Sequence, residues 1–327
     1  MPIDLLLPHE TERDVAELGI WAERLGYDGL WLGELWGASS VVRLTEIAAR
    51  TEEIDIGTAI LNVYSRTPAV LAMTAATLDD VSDGRFRLGV GTSTRKAVED
   101  LHGMDWEAPN PVRRAHETIE LTAAFLEGTG RVDYDGEVFT VEDFPSLDAD
   151  VPIYHAALGT ANRRVVGRLA DGWIPHNVPF PELPSAYKHI RETMADAGRD
   201  ASIDVAPFVP SAVAPDPEAA RDVIRGHVAY YVGSGRGYEA AVAQRFPDGA
   251  SAVADAWREG DRSRAVDRVS DEMVAALGVA GTPADARQQL RAIADIDCVD
   301  RPMVTIPSNA DETVVDRTIE ALAPSGE

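Results

Sequence analysis

A (β/α)8 barrel carrying a helical insertion is the fold predicted for this chain, and three observations predict it. Eight apolar, β-favouring runs alternate with longer stretches of helical periodicity, the pattern of a parallel sheet with crossover helices. The 327 residues fit one barrel with an insertion, so length alone asks for no second domain. The alternation breaks once, over residues 217–278, where the pattern is mostly helical.

The strands are expected at Ile3 to Leu7, Gly29 to Leu32, Ile54 to Ile60, Arg85 to Val90, Val151 to Ala156, Gly172 to Pro175, Ile203 to Val209 and Met303 to Ile306. Between the first two, Thr11 to Leu25 spaces Val15, Leu18 and Ala22 on one helical face and meets Gly26 where a C-terminal cap belongs. Thr67 to Val81 begins with Pro68 in the first turn and stops at Asp83-Gly84. Arg113 to Leu126 and Thr282 to Ile293 repeat the scheme, the second with Thr282 as N-cap before Pro283. Residues 217–278, with the run Gly233-Ser234-Gly235-Arg236-Gly237, are read as an excursion over the barrel mouth. Loops at the carboxyl ends of barrel strands build active sites, so that excursion is read as a substrate lid or an oligomer-forming arm, two roles that are compatible.

Composition narrows the classes. Hydrophobic residues at 45% and charged residues at 26% suffice for a packed core and argue against disorder. Fifty-five acidic residues against 30 basic leave a formal charge of −25, and the only lysines are Lys96 and Lys188. Such a surface repels polyanions, and no basic stripe reverses it locally, so nucleic acid is excluded as a partner. High salt would screen the acidic self-repulsion, which makes a saline habitat the expected reason for the charge. Cys298 is the single cysteine, so neither an intrachain disulfide nor a thiolate cluster can form. No basic leader precedes the short run Leu5-Leu6-Leu7 and no apolar stretch reaches the length of a membrane span. A cytoplasmic protein without membrane contact is expected.

Several chemistries lack their residues. The seven histidines are scattered without a metal-binding spacing, and no Gly-x-Ser-x-Gly elbow occurs. Gly89-Val90-Gly91 follows a strand, but Thr94 stands where a dinucleotide fingerprint needs its third glycine. What remains is a set of small and hydroxyl residues at strand ends: Gly91-Thr92-Ser93-Thr94 after the fourth strand and Ala157-Leu158-Gly159-Thr160 after the fifth. Amides at a helix start with nearby hydroxyls suit a phosphate and the polar tail of a nucleotide-like cofactor. Ordinary tight turns explain either tetrad alone; both at neighbouring strand ends favour a cofactor. In the stretch 57–68 an apolar strand runs straight into a small-residue turn, as where backbone approaches a flat ligand.

That stretch resembles the third-strand signature of the luciferase-like superfamily, particularly its deazaflavin-dependent branch with the methylenetetrahydromethanopterin reductases. Asn62, Tyr64, Arg66 and Pro68 carry the loop; Ala76-Thr77-Leu78-Asp79 and the run from Ser82 to Gly91 carry the next helix and strand. Leu101-His102-Gly103, Val151-Pro152-Ile153-Tyr154 with Ala157-Leu158-Gly159, Ala170-Asp171-Gly172-Trp173 and Gly281-Thr282-Pro283 extend it over most of the chain apart from the insertion. The resemblance implies an α/β TIM barrel and an oxidoreductase using coenzyme F420, with FMN as the alternative cofactor. It also implies a homodimer or higher homo-oligomer and, with the acidity, a halophilic archaeal source.

Residue by residue, the resemblance implies a non-prolyl cis peptide at Ala59-Ile60 backing the cofactor ring. Thr58 and Asn62 would lie near that ring, and Gly91, Thr92, Ser93, Ala157, Leu158, Gly159 and Thr160 would hold its tail. Glu34 keeps an acid that relatives often follow with histidine, here Leu35. It is a candidate proton relay whose burial would raise its pKa, or else a structural carboxylate capping the next loop. Trp36, His155, Trp173, His176 and Asn177 are candidates for the walls of the pocket for a small-molecule substrate. Thr94 stands where the superfamily's sugar-phosphate dehydrogenases have a catalytic glutamate. The acid that pterin reductases carry on the first strand aligns with Leu5, and Asp4, one place off, is expected to point away from the barrel centre. The implied reaction is hydride transfer between the deazaflavin and a small organic substrate, with a methylene-tetrahydropterin or -tetrahydrofolate as the named candidate. Two alternatives stand beside it: an FMN-dependent luciferase-like monooxygenase, and a non-catalytic flavin-binding or deazaflavin-binding protein, which Leu35 and Thr94 permit.

Overall fold

Strands buried on both faces read as continuous apolar runs, and these runs form the staves of a closed parallel barrel. The computed structural model describes residues 2–8, 13–108, 110–128 and 130–324. The chain begins with β1 (Asp4–Leu6), α1 (Val15–Arg24), β2 (Gly29–Leu32), α2 (Ser40–Ala48), β3 (Asp55–Thr58), β4 (Leu61–Asn62), α3 (Pro68–Ser82) and β5 (Phe86–Gly91). It continues through α4 (Pro111–Leu126), β6 (Arg131–Asp135), β7 (Thr140–Pro145), β8 (Ile153–Ala156), α5 (Thr160–Leu169), β9 (Gly172–Trp173), α6 (Leu183–Asp196), β10 (Asp204–Val205) and β11 (Phe208–Val213). Then come α7 (Pro217–Ser234), α8 (Arg236–Ala243), α9 (Pro247–Arg258), α10 (Arg262–Asp267) and α11 (Asp271–Leu277), followed by β12 (Val279–Gly281), α12 (Pro283–Ala294), β13 (Met303–Thr305) and α13 (Glu312–Ala321).

The main sheet runs β10-β9-β8-β5-β3-β2-β1-β13-β11-β12, all parallel. Its closure depends on the seventh stave. β10 and β11 are one strand interrupted at Ala206-Pro207; the first half pairs with β9 and the second with β13, so one segment joins both ends of the sheet. The expected strand 203–209 therefore extends to Val213. The interruption follows from Pro207, which has no amide to give to a ladder. The antiparallel hairpin β6–β7 was not foreseen, nor was β12, whose three residues are too few to show a period.

Helix starts follow the expected chemistry. Thr67 accepts from the Val70 amide ahead of Pro68, and Thr282 forms a capping box with Asp285. Asp14 caps α1, and Thr11, where that helix was expected to start, lies outside the described residues. Leu5, Leu30, Ile56, Leu88 and Ile153 face outward into the main core between sheet and helices. Leu6, Trp31, Ala59, Tyr154, Ile174 and Met303 fill the barrel interior. Gly57 is required there, because a Cβ would stand 2.4 Å from the Trp31 ring.

Asp4 corrects its expectation. It is wholly buried on the interior side, accepts from the Trp31 indole at 2.7 Å and from Arg301 at 3.1 Å, while Leu5 faces the helices. Arg301 also reaches Asp204 at 3.3 Å and Asp55 at 3.5 Å, so an ionic cluster closes the amino-terminal end of the barrel. Burial raises the Asp4 pKa to about 6, against the opposing pull of Arg301 and the Trp31 bond. In a stave buried on both sides, hydrophobicity cannot set which parity faces inward, and here the interior base is ionic.

The insertion leaves from the carboxyl end of β11 and returns through β12, which pairs with β11 at Ser211↔Val279. Its five helices share a core around Ile224, Val228, Val242, Val253 and Met273. Among the described residues no helix is long and apolar enough to cross a membrane, and no group of three or more His, Cys, Asp or Glu could hold a metal ion.

Candidate functional site

The carboxyl ends of three neighbouring staves meet in register. After β3 the chain passes through a cis Ala59-Ile60 peptide and resumes as β4, whose Leu61 and Asn62 pair with Val90 and Gly91 of β5. Gly91 in turn pairs with Ala156 of β8. The strand-three bulge and the loops that begin at Gly91 and Ala157 thus share one rim, and the cis bond falls where the resemblance placed it. Ala59 and Ile60 lie against the interior cluster, next to Leu6 and Trp31.

Several side chains at this rim hold the loops. Thr58 Oγ1 donates to the Gly89 carbonyl and accepts from the Gly89 amide, each at 2.9 Å, replacing the ladder that the bulge interrupts. It is fully buried, so its hydroxyl is unavailable to a cofactor. Asn62 Oδ1 accepts from the Tyr64 and Ser65 amides at 3.0 and 2.7 Å, and Nδ2 faces His102 Nε2 at 3.2 Å. Its Oδ1 is thus committed to the turn.

Other groups stay open. Ser93 adopts a left-handed φ of 63°, and α5 starts at Thr160 with Gly159 as its N-cap and no side chain capping its amides. A Cβ on Gly159 would meet nothing within 4 Å, so space adjoins those amides. Arg163, on the first turn of α5, is buried with its Nε unpartnered, and burial lowers its pKa with no carboxylate opposing that. Nothing in the periodicity singled it out, because it occupies a core-facing helical position.

Glu34 departs from the raised pKa expected of a proton relay. The Arg66 guanidinium grips it with contacts of 2.5 and 3.1 Å, and the Ser40 amide at the start of α2 donates to it at 3.0 Å. Burial pushes its pKa up, but the Arg66 pair and the Ser40 and Ser39 hydrogen bonds outweigh that and hold it below the usual carboxylate value. Both side chains remain slightly accessible, at 17% and 19%.

The five expected wall residues divide. Trp36 is 77% exposed on the loop after β2. His155 and Trp173 are in register on the helix-facing side of β8 and β9, wholly buried. His155 Nδ1 lies 3.2 Å from the Val90 carbonyl, and the Trp173 indole donates to the Ala157 carbonyl at 2.8 Å. Strand parity decides this: interior Tyr154 and Gly172 force their neighbours outward. The parity that excludes Trp173 brings His176 to the interior side of the mouth, where its ring lies 4.6 Å from that of Phe208. The insertion roofs it with Tyr231, Tyr238 and His227 at ring distances of 4.3, 5.3 and 5.7 Å. Asn177 follows at a left-handed φ of 55°, its side chain buried with neither polar atom bonded. The three insertion residues escaped the sequence reading because contact with strand six depends on how the insertion docks.

The chain is 29% identical over 298 residues to a 5,10-methylenetetrahydromethanopterin reductase of Methanolobus tindarius, covering 89% of each. It is 28% identical over 303 residues to a putative coenzyme F420-dependent oxidoreductase of Mycobacterium tuberculosis, covering 84% of this chain and 86% of that one. Among solved structures, the coenzyme F420 dependent tetrahydromethanopterin reductase of Methanopyrus kandleri superposes with a TM-score of 0.83 at 25% identity, covering 99% of this chain and 97% of that one. With the luciferase-like monooxygenase family model matching residues 5–297, the chain belongs to that family.

Proposed function

We propose that this protein is a coenzyme F420-dependent oxidoreductase that transfers a hydride to or from a small organic substrate at the barrel mouth. The observation that carries the reading is the register joining Asn62, Gly91 and Ala156, which brings the strand-three bulge and both small-residue loops to one rim. The relatives named as F420-dependent support it over most of the chain. The residues present suit such a group: an open space adjoins the uncapped amides at Gly159 and Thr160. When bound, F420 supplies the hydride; the protein supplies position and electrostatics.

In this reading Ala59 and Ile60 back the ring from the barrel interior. Thr92 and Ser93, with Ala157, Leu158, Gly159 and Thr160, hold the phosphorylated tail through hydroxyls and amides. Glu34 is a positioning carboxylate that fixes Arg66 and the start of α2, rather than a proton relay. The substrate placed first is a methylene-tetrahydropterin, on the name of the reductase relatives. Hydride delivered to its methylene carbon breaks that carbon's bond to one of the two bridging nitrogens, and the nitrogen released takes up a proton.

Spectral titration of the purified protein with F420 and with FMN, followed by turnover with methylene-tetrahydromethanopterin or methylene-tetrahydrofolate, tests this. Selective F420 binding with methyl product supports it. FMN binding with rapid oxygen-dependent reoxidation would replace it with a monooxygenase, and F420 binding without turnover would leave a binding protein.

A further inference from the structure

At the barrel mouth the polar atoms of three buried side chains lack partners among the described residues: His176 Nε2, His227 Nε2 and both polar atoms of Asn177. Their side chains are at most 7% exposed. A buried polar group left unbonded is costly, so the two imidazole nitrogens, on rings 5.7 Å apart, with the amide of the residue that follows His176 in the chain, point to a partner that is not part of the chain. The half-buried rings of Tyr231 and Tyr238 stand beside the two imidazoles, 5.0 Å apart and steeply inclined.

The cluster is electrically empty. Among the described residues no carboxylate, guanidinium or ammonium shifts either histidine, and the charge effect on His176 comes from His227. Burial lowers both imidazole pKa values, His227 to about 3, so both rings are neutral at physiological pH. A phosphate or carboxylate entering here would lose its hydration with no countercharge to replace it. An uncharged ring would not. Two neutral imidazoles can each donate or accept, and an amide does both, which matches a heterocycle edge of mixed donors and acceptors.

We propose that His176, Asn177 and His227, flanked by Tyr231, Tyr238 and Phe208, form a specificity subsite for the uncharged planar heterocyclic end of the substrate. This rests on the hydride-transfer reading and adds the residues that select the substrate, three of them supplied by the insertion. The subsite would reject sugar phosphates.

Calorimetric titration of 6-methylpterin and of glucose 6-phosphate into wild type, His176→Phe and His227→Phe tests it, with F420 titrated separately into each protein. The wild type should bind 6-methylpterin and give no heat with glucose 6-phosphate. Each phenylalanine variant should weaken pterin binding about tenfold, the loss of roughly one hydrogen bond, with F420 affinity unchanged. His227→Gln, which keeps a donor and an acceptor, should recover most of the affinity and guards against a folding artefact. Pterin affinity unchanged in both phenylalanine variants, no pterin binding by the wild type, or preferential binding of glucose 6-phosphate would overturn the subsite. Pterin binding that depends on His227 in a protein that does not bind F420 would support the subsite while rejecting the cofactor reading.

Discussion

Replacing Arg66 by methionine should destabilise the protein by about 2 kcal/mol at pH 7, and the loss should disappear in acid. Glu34 and Arg66 are each about four-fifths buried, between a surface ion pair worth roughly 0–1 kcal/mol and a fully buried one whose rupture costs about 3–5 kcal/mol. The variant leaves a carboxylate whose remaining ties are to Ser39 and Ser40. The pH dependence follows from linkage. The Glu34 pKa in the fold lies below its ordinary value of 4.5, so its stabilisation is fully present above that value and fades as pH falls through the folded value. Urea unfolding of wild type and variant at pH 7 and at the lowest pH where both fold measures the difference directly. An equal difference at both pH values would refute the ion-pair account and leave only lost packing. Loss of catalysis in Glu34→Gln at unchanged stability and F420 affinity would restore Glu34 as a proton relay.

Three further outcomes are expected. Gly89→Ala should prevent folding or cost about 4 kcal/mol or more in urea unfolding, because its Cβ would stand 1.8 Å from the Thr58 carbonyl oxygen. Asp4 has a folded pKa of about 6 against 3.8 for the free side chain, so its contribution to stability falls as pH rises from about 4 to 6. Asp4→Asn should remove that component, and an unaltered pH–stability profile would show that Asp4 does not titrate there. Raising NaCl should increase the unfolding midpoint through screening of the −25 formal charge, and a midpoint insensitive to salt would remove the basis for a saline habitat.

How much could be read in advance differs between backbone and side chains. Apolar runs and turn residues located seven staves within a few residues, because strand length and flanking glycine, proline and aspartate are local signals. The seventh was short of its observed end, since the interruption at Ala206-Pro207 hides its continuation to Val213. The three rim stretches were legible for the same reason, and their register at Asn62, Gly91 and Ala156 follows from neighbouring staves ending together.

What the sequence by itself determined is the order of the main barrel elements, the family signature and, from its single cysteine, that neither an intrachain disulfide nor a thiolate cluster can form. These depend on residue type and spacing along the chain. Tertiary structure alone decided which way the side chains point and what they meet: Asp4 inward to Arg301, His155 and Trp173 outward, Glu34 onto Arg66, and His227 over His176. The physical reason is that a barrel stave is buried on both faces, so its hydrophobic pattern carries no inside or outside. A contact such as that of His176 with His227 joins residues 51 positions apart, through a docking that no local preference encodes.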